Sequence, residues 1–501
     1  MAVKIILLVV FFAIMVGVGI YSRKSTTSVD GFVLGGRSVG PWLTAFAYGT
    51  SYFSAVVFVG YAGQFGWKYG LASTWIGIGN AIIGSLMAWV ILGRRTRVMS
   101  QHLGSKTMPD FFGTRYKSKS LKIVASAIVF IFMIPYTASV YNGLSRLFGM
   151  AFNIKYEVCV LVMAVFTAIY VIVGGYMATA INDFIQGIVM LFGIVAVIAA
   201  VLNGQGGFME AIEKLANVEH EVPGAYTSFF GPDPLNLLGV IVLTSLGTWG
   251  LPQMVHKFYA IKDEKSIKTG TIISTLFAIV ISGGCYFLGG FGRLFDCPEI
   301  YNGENVVYDA IVPSMLSKLP DILIGIVIVL VLSASMSTLS SLVLTSSSTL
   351  TLDFLKETVM KKMNEKKQVV VMQILIVFFI GVSVVIALDP PAFIAQLMGI
   401  SWGAMAGAFL APFMYGLYSK KITKAAVWVS FACGVGITVS NMIWGYIASP
   451  INAGAIAMVT GLIVVPIVSL ITPKMKKEDV DEIFTCYDEE VVSTKKKVLN
   501  K

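Results

Sequence analysis

The chain has 501 residues, 56% of them hydrophobic and 13% charged, with a mean hydropathy of +0.81. Soluble domains carry about 25% charged residues, so this composition excludes a string of soluble domains and calls for a polytopic membrane protein. The 37 Lys and Arg against 27 Asp and Glu leave a net charge of +10. Their placement, given below, marks a topology signal beside anionic lipid and not a nucleic-acid surface.

A helix needs about 20 mostly apolar residues to cross hydrocarbon. Thirteen such runs occur, at 4–21, 41–64, 71–93, 123–149, 156–174, 183–202, 235–256, 270–292, 321–350, 369–388, 393–418, 425–447 and 453–472. The first ends in Tyr21-Ser22-Arg23-Lys24 without a small-residue cleavage site, so it reads as an uncleaved span and not a signal peptide. With the amino terminus outside, 30 of the 37 basic residues fall in the inner loops and tail. Lys and Arg concentrate on the cytoplasmic side, which orients the chain N-out and C-in. Residues 473–501 mix Lys474, Lys476, Lys477, Glu478 and Asp479 with Lys495 to Lys497 and read as a solvated, poorly ordered cytoplasmic tail.

Two spans carry the composition of interrupted helices. Span 2 gathers Ala47-Tyr48-Gly49-Thr50-Ser51-Tyr52-Phe53-Ser54 at mid-depth, and span 7 gathers Thr244-Ser245-Leu246-Gly247-Thr248-Trp249-Gly250-Leu251-Pro252. Glycine tolerates unwinding and proline removes an N–H; the freed carbonyls survive at membrane depth only where they line a cavity or bind something. Matching breaks five spans apart point to two inverted five-helix repeats. The division is 1–40 for the first span and inner linker, 41–202 for the first repeat (spans 2–6), 203–234 for an outer loop, 235–418 for the second repeat (spans 7–11), 419–472 for peripheral spans 12 and 13, and 473–501 for the tail.

Span 9 contains Ser333-Ala334-Ser335-Met336-Ser337-Thr338-Leu339-Ser340-Ser341, in which Ala334, Ser337, Thr338 and Ser341 share one face at i, i+3, i+4 and i+7. Hydroxyls opposite spare carbonyls supply neutral oxygen ligands to a hard, weakly charged cation. Sodium suits them better than zinc or copper, which want His or Cys. The five cysteines lack short paired spacing and the histidines number three, so neither a disulfide framework nor a zinc site is indicated. Asp183 stands at the inner mouth of span 6, where a carboxylate marks an ion path or caps a helix start.

Phe32-Val33-Leu34-Gly35-Gly36-Arg37-Ser38, Met108-Pro109-Asp110-Phe111-Phe112, Gly174-Gly175 through Asp183 and Gln186, and Met336-Ser337-Thr338-Leu339-Ser340 follow in order at the right spans. With them the chain resembles, over 29–445, the sodium:solute symporter family, which includes bacterial proline and pantothenate carriers and sodium-coupled galactose and sialic acid carriers. The resemblance implies an all-α membrane protein of about thirteen transmembrane helices with a LeuT-like inverted-repeat core. It also implies a sodium site of the backbone carbonyls of Thr50, Phe53 and Ala334 with the hydroxyls of Ser337 and Thr338. Some members carry a second sodium, and Asp183, Ser337, Ser340 and Ser341 stand at its positions here.

The proline carriers place tryptophans where this chain has Val56 and Thr244, and an acidic residue where it has Tyr52, whereas Tyr136 matches a substrate-side tyrosine. Around Tyr52, Gly250-Leu251-Pro252, Tyr259 to Ser266 and Pro390-Pro391 the chain is similar to the pantothenate carriers. The expected pocket is Ser54, Tyr136, Thr248 and Trp249, although Trp249 reads equally as a packing residue. The expected solute is a pantothenate-like carboxylate or an amino acid such as proline, with a sugar or sialic acid as the alternative.

Other function classes find less support. A channel needs a continuous polar lining, and polar residues here cluster at mid-depth in three spans. No nucleophile elbow, phosphate loop or metal-ligand spacing suggests an enzyme, and the 29-residue tail is too short for a signalling domain. The expected partners are therefore sodium as coupling ion, a small organic solute and the lipid bilayer of the cell membrane, with no further cofactor and no nucleic acid.

Overall fold

The computed structural model describes residues 2–23, 28–152, 154–391 and 393–492. Among these residues, ten helices are long and apolar enough to cross a membrane, and the bent pair Pro234–Gly250 and Pro252–Tyr259 makes eleven. Two of the ten are too long for one crossing. Val56–His102 has 47 residues and Tyr156–Gly204 has 49, about 70 Å each at 1.5 Å per residue against ~30 Å of hydrocarbon. Each is broken at a glycine with a positive φ, Gly70 (φ 60°, ψ −140°) and Gly175 (φ 54°, ψ −152°), a backbone that a Cβ would strain.

The loop expected at 175–182 is absent. One glycine turns the chain, and helix resumes at Tyr176. Asp183 therefore lies two turns inside a helix, fully buried, and not at a mouth.

Both expected breaks are present. In span 2, Pro41–Tyr52 ends at an extended Phe53 (φ −108°, ψ 92°), and helix resumes through Val56–Tyr61 into Ala62–Tyr69. Span 7 bends by 45° at Leu251, just before Pro252. Span 9, Asp321–Thr349, is the central strut: every residue from Leu330 to Thr349 is buried, and it packs along spans 4, 5 and 6. Span 1 and spans 12 and 13 lie at the edge, where only 22% and 39% of their apolar windows are buried against 89% for span 11. Large apolar side chains such as Val9, Phe192, Phe378 and Leu470 face outward, a surface that suits lipid and not water.

Some helices touch backbone to backbone. A Cβ on Gly66 of span 2 would lie 1.9 Å from the Gly289 carbonyl oxygen of span 8, and one on Gly289 would lie 2.1 Å from that of Ala62. Backbone cannot swing aside as a side chain can, and overpacking costs about 1–3 kcal/mol or more. Gly66→Ala is expected to lower the yield of monodisperse protein and its melting temperature; a melting curve matching wild type would contradict this contact.

The basic side is tied together by buried arginines. Gly35, Gly36 and Arg37 turn with φ of 58°, 67° and 50°, which points the Arg37 guanidinium inward. It donates to the Ser100 hydroxyl (3.0 Å) and to the carbonyls of Ser105 (2.6 Å) and Tyr259 (3.2 Å), joining spans 3 and 7. The tail differs from expectation as far as it is described. Lys477–Phe484 is helical, the Arg95 guanidinium lies over the Tyr418 and Tyr487 rings (4.0 and 4.5 Å), and Arg97 donates to the Val492 carbonyl (2.8 Å). Apolar and aromatic tail residues, with Cys486 buried among them, supply the docking face that a count of charges overlooks. Lys24 and residues 493–501, with Lys495 to Lys497, lie outside the described residues.

Candidate sodium site and solute pocket

The break in span 2 frees carbonyls that a continuous helix would use. Phe53 still donates its N–H to the Gly49 carbonyl (3.1 Å), but the chain then leaves helical geometry, and the Thr50 carbonyl turns to span 9. It accepts from the hydroxyls of Ser337 (3.1 Å) and Thr338 (3.3 Å). The same hydroxyls reach the Ala334 carbonyl one turn back, both at 3.1 Å. All four residues are buried, and Phe53 lines a small cavity together with Ala334. Hydroxyl hydrogen bonds usually measure 2.7–2.8 Å, so this is a loosely drawn cluster of neutral oxygens at mid-depth in two helices. Such a set can hold a hard monovalent cation once the hydroxyl protons rotate outward.

One turn further along span 9 the arrangement changes. Among the described residues, no donor is hydrogen-bonded to either Asp183 carboxylate oxygen. Its neighbour is the Lys257 ammonium, 3.6 Å from Oδ2. Lys257 also donates to the Ser341 hydroxyl (2.9 Å), which is 2.8 Å from the Ser51 hydroxyl of span 2. Ser340 donates to the Ser337 carbonyl (2.8 Å). Of the four residues expected to hold a second sodium, the structure thus groups Asp183 and Ser341 around a lysine and turns Ser340 to its own backbone.

The expected pocket residues divide into two groups. Ser54 and the Tyr136 hydroxyl face one another, and the Tyr136 ring meets Trp402 of span 11 edge-on at 5.9 Å. The Tyr136 hydroxyl also faces the Trp402 indole N–H, and among the described residues neither group has a partner in full hydrogen-bond geometry. Trp249 instead donates to the Ile83 carbonyl of span 3 (2.9 Å), and the Thr248 hydroxyl lies between the Ser245 carbonyl of its own helix (2.9 Å) and the Gly84 carbonyl of span 3 (3.1 Å). Tyr52 connects the two groups: its ring lies 6.1 Å from that of Trp402 and its hydroxyl donates to the Thr244 carbonyl.

The sodium:solute symporter family model matches residues 32–434. The chain belongs to that family. This symporter is 30% identical over 487 residues to a sodium/proline symporter of Staphylococcus aureus, covering 94% of its own length and 93% of the relative. A Na+-coupled sialic acid symporter, solved substrate-bound and outward-open, superposes with a TM-score of 0.79 at 17% identity, over 95% of this chain and 98% of that one. A manganese transporter of Eremococcus coleocola superposes with a TM-score of 0.51 at 12% identity, over 88% and 95%. These likenesses extend to the fold alone. The family and its relatives are transporters, not enzymes, and sodium is the coupling ion the family implies.

Two further residues of the candidate site have weak sequence signals. Lys257 falls just past the expected end of span 7 at 256. The signal was present, since Phe258-Tyr259-Ala260-Ile261 continues the apolar run beyond it and marks a lysine inside a helix. Trp402 sits in a run of small and apolar residues, where nothing local separates a pocket indole from a packing one.

Proposed function

We propose that the chain couples inward sodium flow to uptake of a small organic solute across the cell membrane by alternating access. Proline or a similar amino acid is the first candidate solute and a pantothenate-like carboxylate the second. The observation that carries this reading is the cluster of Thr50, Ala334, Ser337 and Thr338 oxygens between the broken span 2 and span 9. Phe53 would add a fifth oxygen through its carbonyl. Sodium bound there stitches span 2 to span 9; solute then binds beside Tyr136, the bundle rocks, and both leave to the cytoplasm. We read the architecture as thirteen crossings, N-out and C-in, with the long helices dividing at Gly70 and Gly175 and the two repeats inverted.

For the solute, the Tyr136 hydroxyl and Trp402 N–H, with Ser54 beside them, are donors suited to a carboxylate. Thr248 and Trp249 form the wall that joins this pocket to span 3. The 30% identical proline symporter supports the amino acid ahead of other carboxylates.

The driving force is adequate. One charge moving down 100 mV gives about 2.3 kcal/mol and a tenfold sodium gradient about 1.4 kcal/mol. Together they support roughly 500-fold accumulation of a solute without net charge.

The test is uptake of labelled proline, pantothenate, other amino acids, sialic acid and hexoses into proteoliposomes under an inward sodium or choline gradient. Saturable uptake of proline or pantothenate in sodium alone is expected; equal uptake in choline would contradict coupling. In the same assay, Tyr136→Phe removes a donor to a charged group worth about 1.5–3 kcal/mol. Half-saturation for solute should rise roughly 10- to 150-fold with the sodium dependence unchanged; an unaltered solute affinity would remove Tyr136 from the pocket.

A further inference from the structure

We propose that Lys257 is a tethered cation that fills the second cation place of this symporter, so that the wild-type chain binds one sodium ion and not two. The proposal rests on the sodium reading above and adds the number of ions to it. Lys257 and Asp183 are 2% and 0% exposed, on spans 7 and 6, and they meet beneath the sodium cluster, where Ser341 of span 9 and Ser51 of span 2 complete the contact. The ammonium thus touches elements of both halves of the bundle at a buried carboxylate beside the cluster.

Charge counting decides the matter. Asp183 supplies one negative charge, its oxygens have no hydrogen-bond donor among the described residues, and its salt-bridge partner is Lys257. The Tyr176 ring lies 5.3 Å from the ammonium on another side, adding a favourable face for a cation and no further anion. A sodium ion placed among Asp183 and Ser341 would sit within about 4 Å of the lysine, and repulsion at that distance lowers occupancy on the order of a thousandfold. Ser340 and Ser337, the remaining oxygens of such a site, are neutral hydroxyls on span 9 and add no charge to offset that repulsion. A lysine anchored in the chain cannot dissociate into the cytoplasm as a second sodium would, so it holds the bundle together without adding to the driving force. With one ion, a zwitterion such as proline retains the full electrical term, whereas a monovalent anion moves without net charge and loses it.

Removing the ammonium leaves the Asp183 carboxylate, the Ser341 hydroxyl and the space the ammonium occupied, which should recruit sodium from solution. Radioactive sodium bound per purified chain, measured without any solute, reads this directly. Wild type should bind one ion, Lys257→Met two, and the double variant Lys257→Met with Asp183→Asn one again. Two ions on wild type, or one on a folded Lys257→Met, would overturn the proposal while leaving the first sodium site standing; no ion on wild type would instead overturn the sodium reading itself. Lys257→Gln replaces Lys257→Met if the latter does not purify, and the wild-type count is decisive without either.

Discussion

Thr338→Ala should raise the sodium concentration for half-maximal uptake by roughly 5- to 150-fold, with membrane abundance close to wild type. Its hydroxyl reaches two buried carbonyls on two helices, Thr50 at 3.3 Å and Ala334 at 3.1 Å. Losing one oxygen from a buried cation is comparable to losing a hydrogen bond to a charged group, about 1–3 kcal/mol, which is the stated range at 1.4 kcal/mol per tenfold. Alanine keeps helix propensity and adds no bulk beside Met336 and Leu339. Ser337→Ala shares both acceptors, so the double variant should fall short of the product of the single effects, because contacting residues do not add. An unchanged sodium dependence in Thr338→Ala would remove it from the ion site.

Arg37→Ala should loosen the packing of the basic side, which the proposed topology places in the cytoplasm. The guanidinium is buried and holds span 3 and the following turn to the end of span 7 through Ser100, Ser105 and Tyr259. Burial lowers its pKa and Asp30 is the first group opposing that shift, so the arginine is held by its acceptors at an energetic cost. Beside it, Val39 and Lys262 donate to the carbonyls of Ala260 (3.1 Å) and Val39 (3.0 Å), a backbone clasp that depends on the turn Arg37 anchors. Losing about 2 kcal/mol from charge-assisted bonds would shift the closed-to-open balance roughly 30-fold. The readout is the labelling rate of Gln253→Cys, in a chain with its five native cysteines replaced, by an impermeant thiol reagent from the cytoplasmic side. A rise of tenfold or more is expected. Arg37→Lys should recover only part of the closure, since an ammonium cannot reproduce the forked donor pattern. Equal labelling in wild type and Arg37→Ala would contradict a closing role.

The features legible in the sequence were those written along one helix. The Gly and hydroxyl content at 47–54 and the Gly250-Leu251-Pro252 stop forecast both breaks; the span 9 face placed hydroxyls opposite the broken segment, while Thr50 itself was named by the family resemblance, and of that face Ser337 and Thr338 reach Thr50 whereas Ser341 meets Ser51. The features missed belong to tertiary pairing or to a single dihedral. Nothing near Gly175 says that one positive φ replaces a loop, and that single torsion carries Asp183 from a helix mouth into the interior. Lys257 is marked by the apolar run that continues past it, but its carboxylate partner is visible only once span 6 lies beside it. Thr248 and Trp249 stand out in the sequence as polar groups in a broken helix, but the span 3 carbonyls they reach, those of Gly84 and Ile83, carry no sequence signature. The docked tail was hidden for the same reason: Tyr487 donates to the Leu417 carbonyl and Glu489 pairs with His102, contacts across more than 60 residues.

The most direct measurement is a high-resolution density map of the symporter prepared in sodium and again in choline. A spherical peak ringed by the carbonyl oxygens of Thr50, Phe53 and Ala334 and the hydroxyls of Ser337 and Thr338, present in sodium and gone in choline, is the expected result. A map in sodium with these oxygens bonded only to one another, or with the ion bound elsewhere, would contradict it.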